Sequence, residues 1–319
     1  MKRARFPGLL LPLWALAVLC ACSAVKGPSP APHSPEAVTG RDRIGQIIHL
    51  GSGKVLSFDQ LVQELGSNDL IFIGEVHVNP EHHLMQVQLL QALWTRYGSL
   101  GVAMEFFETH DQPTLDGYME GSLTEEEFLK GVDWSRGWGF HYHFYRPLLL
   151  LVKGKGGRIL AMNAPGEVVR KVARSGIESL SPQERGTISE RIDLENSGHR
   201  AYLKEVYGAH SHGGLRNFDY FYQAQCVWEE TMAQNIAKFL EGNRKKTVVF
   251  AGNGHIIYKF GIPERTLRRT EVSMVTLLLS PWSSERSLKA GAADYVWLTG
   301  DCSRGHGRDE VSLRGRKVW

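Results

Sequence analysis

The sequence predicts an α/β fold: a mostly parallel sheet flanked by helices, with a helical insertion or cap. Three observations carry that expectation. Short apolar runs recur along the chain: "DLIFIG" (69–74), "GVAMEFF" (101–107), "RILAMN" (158–163), "TVVFAG" (247–252), "VSMVTLLL" (272–279) and "DYVWLT" (294–299). None alternates cleanly between apolar and polar, as expected of strands covered on both faces. Helical segments separate them, the order that builds parallel sheets.

The first residues stand apart from that fold. Lys2, Arg3 and Arg5 precede an apolar run from Leu9 to Ala21. Such a run is too short to span a bilayer comfortably and is typical of a signal peptide, assigned here to residues 1–21. It ends Leu19-Cys20-Ala21-Cys22. A Leu three residues before a Cys and a small residue directly before it resemble the bacterial lipobox, with Cys22 as the lipidated residue. Ser23, where an Asp would argue otherwise, favours the outer membrane by analogy. Residues 22–41 include four prolines in "SAVKGPSPAPHSPEAVTG" and read as an extended tether. The tether implies a domain working at a membrane surface without entering it. Residues 42–300 read as one domain, and 301–319, without periodicity, as a flexible tail.

Two helices are legible within the domain. Residues 80–97 start with Asn79 as N-cap and Pro80 at the first helical position, and Val87, Leu90, Trp94 and Tyr97 form a stripe. In 217–241, Phe221, Ala224, Trp228, Met232, Ile236 and Phe239 repeat at helical spacing, and Asn243 with Arg244, Lys245 and Lys246 suits the end. The stretches 108–157 and 165–240 interrupt a regular alternation and supply the helical insertion or cap.

Composition narrows the function. The 319 residues are 42% hydrophobic and 22% charged, with a net charge of +3, which gives no reason to expect nucleic acid as a partner. No C-x-x-C-H is present, which excludes covalent c-type haem attachment, and no paired C-x-x-C elements are present, which excludes a zinc ribbon. With Cys22 lipidated, a disulfide would need Cys226 and Cys302.

Polar residues fall where the apolar runs end. Glu75 and His77 follow the first run, Glu105 lies in the last turn of the second, Asn163 ends the third, and "GNGH" with His255 follows the fourth. Ligands of open parallel sheets bind outside the carboxyl ends of the strands. Glu75, His77, Glu105 and His255 are therefore candidate ligands for zinc, manganese or another divalent metal, with Glu75 or Glu105 able to activate a water. His82 and His83 ride on the first turn of helix 80–97; His83 is expected to face the sheet and His82 to point about a quarter-turn away. A second cluster, "DWSRGWGFHYHFYRP" (133–147), mixes aromatics, histidines and arginines. It suits either a pocket for a flat anionic ligand such as haem or a Trp-rich loop packed over the sheet edge.

At these residues the sequence resembles the haem-binding uptake ChaN family of the Tiki superfamily. The motifs that carry the likeness are "GEVHVNPEHHLMQ", "VAMEFFETHDQ", "FYRPLL", "ILAMNAPGEVVRKVARSGI", "AQCVWEETMA" and "AGNGHIIYKFGIPER", in family order over roughly residues 68–270. The resemblance implies a haem-binding envelope lipoprotein serving haem or iron uptake, with an outer-membrane haem receptor as a candidate partner. It also implies iron held by a Tyr and homodimers around cofacial haems. Tyr145 in "FYRP" and Tyr258 in "GHIIYKFGIP" are the candidates, Tyr145 favoured for its aromatic surroundings, with His143 and Arg146 as further cofactor contacts. The wider superfamily implies an alternative, a metal-dependent hydrolase or protease using Glu75, His77, Glu105 and His255. Val78 stands where that pattern commonly has an acidic residue.

Overall fold

The structure is a computed structural model and describes Val38 and residues 42–209, 217–242, 245–282 and 288–301. Cys22, Cys302, Asn243, Arg244, the signal segment, the tail beyond Asp301 and the tether apart from Val38 lie outside the described residues. Val38 itself is buried against the domain and donates its N–H to Leu288 O at 3.3 Å, so the expected tether includes a residue that packs.

Eight strands form one sheet. A short hairpin, β1 (Ile47–His49) and β2 (Lys54–Leu56), precedes β3 (Leu70–Glu75), β4 (Gly101–Glu108), β5 (Ile159–Asn163), β6 (Thr247–Gly252), β7 (Met274–Pro281) and β8 (Tyr295–Thr299). The order is β2-β1-β8-β7-β3-β6-β4-β5. From β8 to β5 every pairing is parallel, and β1 joins β8 and β2 antiparallel. All six expected apolar runs are strands. The hairpin was not legible, because strands of three residues are too short to carry a pattern.

Alternate residues of each strand face opposite layers. Ile71, Ile73, Met104, Phe106, Phe250 and Leu277 pack under α1 (Phe58–Gly66), α2 (Pro80–Tyr97), α3 (Gln112–Glu120), α4 (Glu125–Gly131), α5 (Trp134–Gly137) and α6 (Tyr142–Gly154). Phe72, Ala103, Met162, Val249 and Leu278 face α7 (Gly166–Ser175), α10 (Phe218–Glu241) and α11 (Ile262–Leu267), with α8 (Pro182–Arg185) and α9 (Ser197–Ala209) between them in the chain. The expected helical stretches are thus the β4–β5 and β5–β6 connections. Among the described residues no helix is long and apolar enough to cross a membrane.

Helix α2 starts as its sequence dictates, with Asn79 Oδ1 accepting from Glu81 N at 3.0 Å and Pro80 at the first position. Its buried face is wider than the expected stripe. Met85, Gln86, Leu89 and Leu93 are buried beside Leu90 and Trp94, while Val87 and Tyr97 are only half-buried. The expectation for His82 is corrected: it does not point away but is fully buried. Its Nδ1 accepts from Val76 N at 2.9 Å, so a neutral ring has its remaining N–H on Nε2, which lies 2.9 Å from Thr299 Oγ1. Burial, and secondarily His83, pushes the His82 imidazole down to about 3. It is a neutral structural histidine tying α2 to the end of β8.

The β5 edge of the sheet is closed by a side chain. Gln112 Nε2 donates to Ile159 O at 2.9 Å and its Oε1 accepts from Ala161 N at 2.7 Å, taking the place of a neighbouring strand. Gln112→Ala is expected to cost about 1–2 kcal/mol by leaving both backbone groups unpaired. Urea denaturation checks the loss, and light scattering should show more self-association through the opened edge.

Candidate functional site at the carboxyl edge of the sheet

Register sets the site. Glu75 of β3 lies beside Gly252 of β6, and Met104 of β4 lies beside Phe250, so Glu75, Glu105 and the start of "GNGH" reach the same edge. The ladder between β4 and β5 shifts between Met104 and Glu108, and Glu105 sits in that irregularity. Strand parity then separates the carboxylates. Glu75 turns to the α2–α6 layer and Glu105 to the α10 layer. The sequence brings them to one edge but not to one point.

The first half of the site surrounds Glu75, which is buried. Its Oε1 lies 2.7 Å from His77 Nδ1 and accepts from the Tyr145 hydroxyl at 3.1 Å. Its Oε2 accepts from Gln86 Nε2 at 2.7 Å and lies 3.3 Å from His83 Nδ1. His83 Nε2 donates to His77 O at 3.0 Å. The rings of Phe106, Trp138 and Phe140 close around His77 and Tyr145. The Trp-rich loop reading of segment 133–147 therefore describes its inner side, since Trp134, Trp138 and Tyr145 are core.

The second half surrounds His255. Its Nε2 lies 3.5 Å from Glu105 Oε1 and its Nδ1 lies 3.2 Å from Glu229 Oε1. Glu105 Oε2 accepts from Gly252 N at 2.6 Å. Both ring nitrogens face carboxylates, so both carry protons. Burial opposes that charge, yet Glu105 and Glu229 push the His255 imidazole up to about 10. Burial likewise opposes ionisation of Glu105, and His255, with His77, holds it below the ordinary carboxylate range.

The network continues into residues that spacing alone did not mark. Glu229 Oε2 lies 3.4 Å from both Arg265 Nε and His199 Nε2. Arg265, 1% exposed, also pairs with Glu230 and reaches Cys226 Sγ at 3.2 Å. Arg268 and Arg269 add contacts to Glu230 at 2.9 and 2.5 Å. Cys226 is buried, and no other described cysteine pairs with it. A usable signal did exist: Glu229 and Glu230 interrupt the apolar stripe between Trp228 and Met232, where a carboxylate needs a buried cation.

His77 joins the halves across the edge. Its Nε2 lies 2.8 Å from where a Cβ on Gly252 would stand, and Glu105 Oε2 lies 3.7 Å from that point. Only glycine at 252 leaves room for the imidazole. Burial works against a charged His77, and Glu75 and Glu105 overcome it, raising its affinity for a proton.

These contacts do not assemble the expected metal quartet. Glu75, His77, Glu105 and His255 are paired with one another and with Glu229, and the two carboxylates occupy opposite faces of the sheet. Among the described residues no group of three or more His, Cys, Asp and Glu side chains is arranged to hold a metal ion. The expected cofactor contacts do not converge either. Tyr145 is buried in the Glu75 half, Arg146 Nε is held by Glu125 at 2.7 and 3.0 Å, and His143 is exposed. Tyr258 packs on the α10 layer, beyond the end of β6.

The His255 clamp has a pH signature. The folded state binds the His255 proton more tightly than the unfolded chain does, so this stabilisation is full below about pH 6.5. It is lost as pH rises through about 10. The melting temperature is expected to fall across that alkaline window. His255→Gln should lower stability at neutral pH and remove most of the alkaline slope, as measured by thermal denaturation against pH.

Comparison with known proteins follows the same lines. The family model described as "Haem-binding uptake, Tiki superfamily, ChaN" matches residues 61–266. A solved structure described as cofacial heme binding to ChaN of Campylobacter jejuni is similar in fold, with a TM-score of 0.62 and 19% identity over 79% of this chain and 95% of that one. A curated relative, Protein RETICULATA-RELATED 5, chloroplastic, of Arabidopsis thaliana, is 25% identical over 84% of this chain. This chain spans only 39% of that relative's length. The matched region runs from α1 to α11 and includes every strand-end residue described above: the chain belongs to the haem-binding uptake ChaN family of the Tiki superfamily.

Proposed function

We propose that this chain is a haem-binding lipoprotein of the bacterial cell envelope, contributing to haem and iron uptake, and that Tyr258 ligates the iron. Membership of a haem-binding family supports the first part. The contrast between two tyrosines carries the second. Tyr145 is 1% exposed and its hydroxyl is committed to Glu75. Burial and the Glu75 charge push its phenol far up, so a tyrosinate is disfavoured there. Tyr258 is half-buried, and no described residue hydrogen-bonds its hydroxyl. Its φ of 57° is a left-handed conformation that is costly for a bulky side chain. A 2.7 Å bond from Tyr258 N to Ala292 O holds it there. The rings of Tyr202 and Phe260, 5.5 and 5.6 Å away, give it apolar neighbours suited to a porphyrin edge. Burial raises this phenol as well, and ferric iron would take the proton's place.

The envelope part of the reading rests on the N-terminal sequence. Residues 1–21 would be removed, Cys22 lipidated, and the domain held at the outer membrane facing the periplasm, beside an outer-membrane haem receptor. The cofacial haems of the Campylobacter jejuni relative motivate a homodimer. The strand-end candidates pair with one another, which leaves a divalent metal there, and a hydrolase built on it, without support.

The test is titration of the full chain in detergent with hemin, followed at the Soret band. Wild type and Tyr145→Phe should shift the band alike, whereas Tyr258→Phe should weaken binding about tenfold or more. Absence of hemin binding at micromolar concentration would overturn the function. Loss in Tyr145→Phe with retention in Tyr258→Phe would overturn the ligand assignment.

A further inference from the structure

We propose that Asp294 and Lys259 are positioning residues for haem binding, because together they lock the turn that presents Tyr258. The inference rests on Tyr258 as the iron ligand. Tyr258 and Lys259 are consecutive left-handed residues, with φ of 57° and 61°. Among the described residues other than glycine, only Asp133 shares a positive φ. Two successive side chains in that region are costly, so such a turn persists only where its surroundings hold it.

The hold comes from one short segment, residues 292–294, just ahead of β8. Ala292 O accepts from Tyr258 N at 2.7 Å, and Asp294 Oδ1 accepts from Lys259 Nζ at 2.7 Å. Within the turn, Lys259 N donates to Ile256 O at 2.9 Å. Asp294 is itself anchored to the sheet. Its Oδ2 accepts from Thr276 N and Thr276 Oγ1 of β7 at 2.8 and 2.9 Å, and its N–H donates to Thr276 Oγ1 at 3.0 Å. Its carbonyl accepts from Leu50 N at 2.9 Å, and both Thr276 and Leu50 are buried. One carboxylate oxygen is thus committed to the sheet and the other to the turn.

The two side chains are 35% and 30% exposed, and an ion pair in that setting adds little to global stability. Its effect is conformational. Without Lys259 Nζ at Asp294, residues 258 and 259 can relax toward the ordinary right-handed or extended regions. The Tyr258 ring would then leave those of Tyr202 and Phe260. Apparent haem affinity falls with the fraction of chains that keep the turn.

The test compares Lys259→Ala, Lys259→Gly, Lys259→Arg and Asp294→Asn in the full chain in detergent. Hydrogen exchange at the Tyr258 amide, measured without hemin, reads the lock itself; hemin titration at the Soret band reads its use. Asparagine at 294 keeps an oxygen for Thr276 and loses the charge that holds Lys259. Lys259→Ala and Asp294→Asn should exchange faster at Tyr258 and bind hemin about tenfold more weakly, with melting temperatures close to wild type. Lys259→Gly loses the pair but adopts the left-handed conformation without a Cβ penalty. It should therefore stay closer to wild type than Lys259→Ala in both exchange and affinity. Lys259→Arg keeps the cation and should match wild type. Equal losses of affinity in Lys259→Gly and Lys259→Ala would assign the ammonium to direct contact with haem and overturn the lock. Unchanged Tyr258 exchange in Asp294→Asn would overturn it even if hemin affinity fell. Exchange that responds as expected, in a wild type that binds no hemin, would overturn the haem reading and the positioning role with it.

Discussion

The structure depends on one buried imidazole held between two buried carboxylates. His255 reaches Glu105 from β4 with one nitrogen and Glu229 from α10 with the other. Neither carboxylate has enough hydrogen bonds to stay ionised in the interior without a cation beside it. Once His255 carries the charge, the end of β6 cannot move without uncovering a carboxylate on each side. Arg265 extends the same logic to α11, where it serves Glu229 and Glu230. Buried ion pairs are weak contributors to net stability, because desolvation offsets most of their attraction. Their effect here is on geometry: they fix one arrangement of a sheet edge, a long helix and a short one.

That arrangement explains why a row of metal-like residues need not hold a metal. Glycine at 252 leaves room for the His77 ring, which pairs with Glu75 on one face and feels the Glu105 charge from the other. Tyr145 completes the Glu75 half by donating its hydroxyl inward. A tyrosine used in this way supports the network, whereas Tyr258 sits in a left-handed turn and no described residue bonds its hydroxyl.

Much of the fold was legible because burial on both faces leaves a direct mark. The six parallel strands are uninterrupted apolar runs, and α2 announces its start through Asn79 and Pro80. The β1–β2 hairpin left no mark, since three-residue strands fall below any period. At the site, the edge was legible and the partnerships were not. Spacing along β3 and β4 does not say that Glu75 and Glu105 face opposite layers; that follows from which residues of each strand meet which helices. His82 is buried although it lies a quarter-turn from the helix face, because that position still lies under the end of β8, where its Nε2 meets Thr299 Oγ1. Arg265 was invisible for a different reason: an arginine after Pro263 and Glu264 reads as surface until Glu229 and Glu230 are known to be buried beneath it.

His255 is an imidazolium clamped by Glu105 and Glu229. Nitrogen-15 NMR of histidine-labelled protein, with His255 assigned by His255→Gln, reads that state directly. At about pH 8 an ordinary histidine is neutral, whereas both His255 nitrogens are expected to remain protonated, with loss of the proton only as pH approaches about 10. A neutral His255 at that pH, with one bare ring nitrogen, would contradict it.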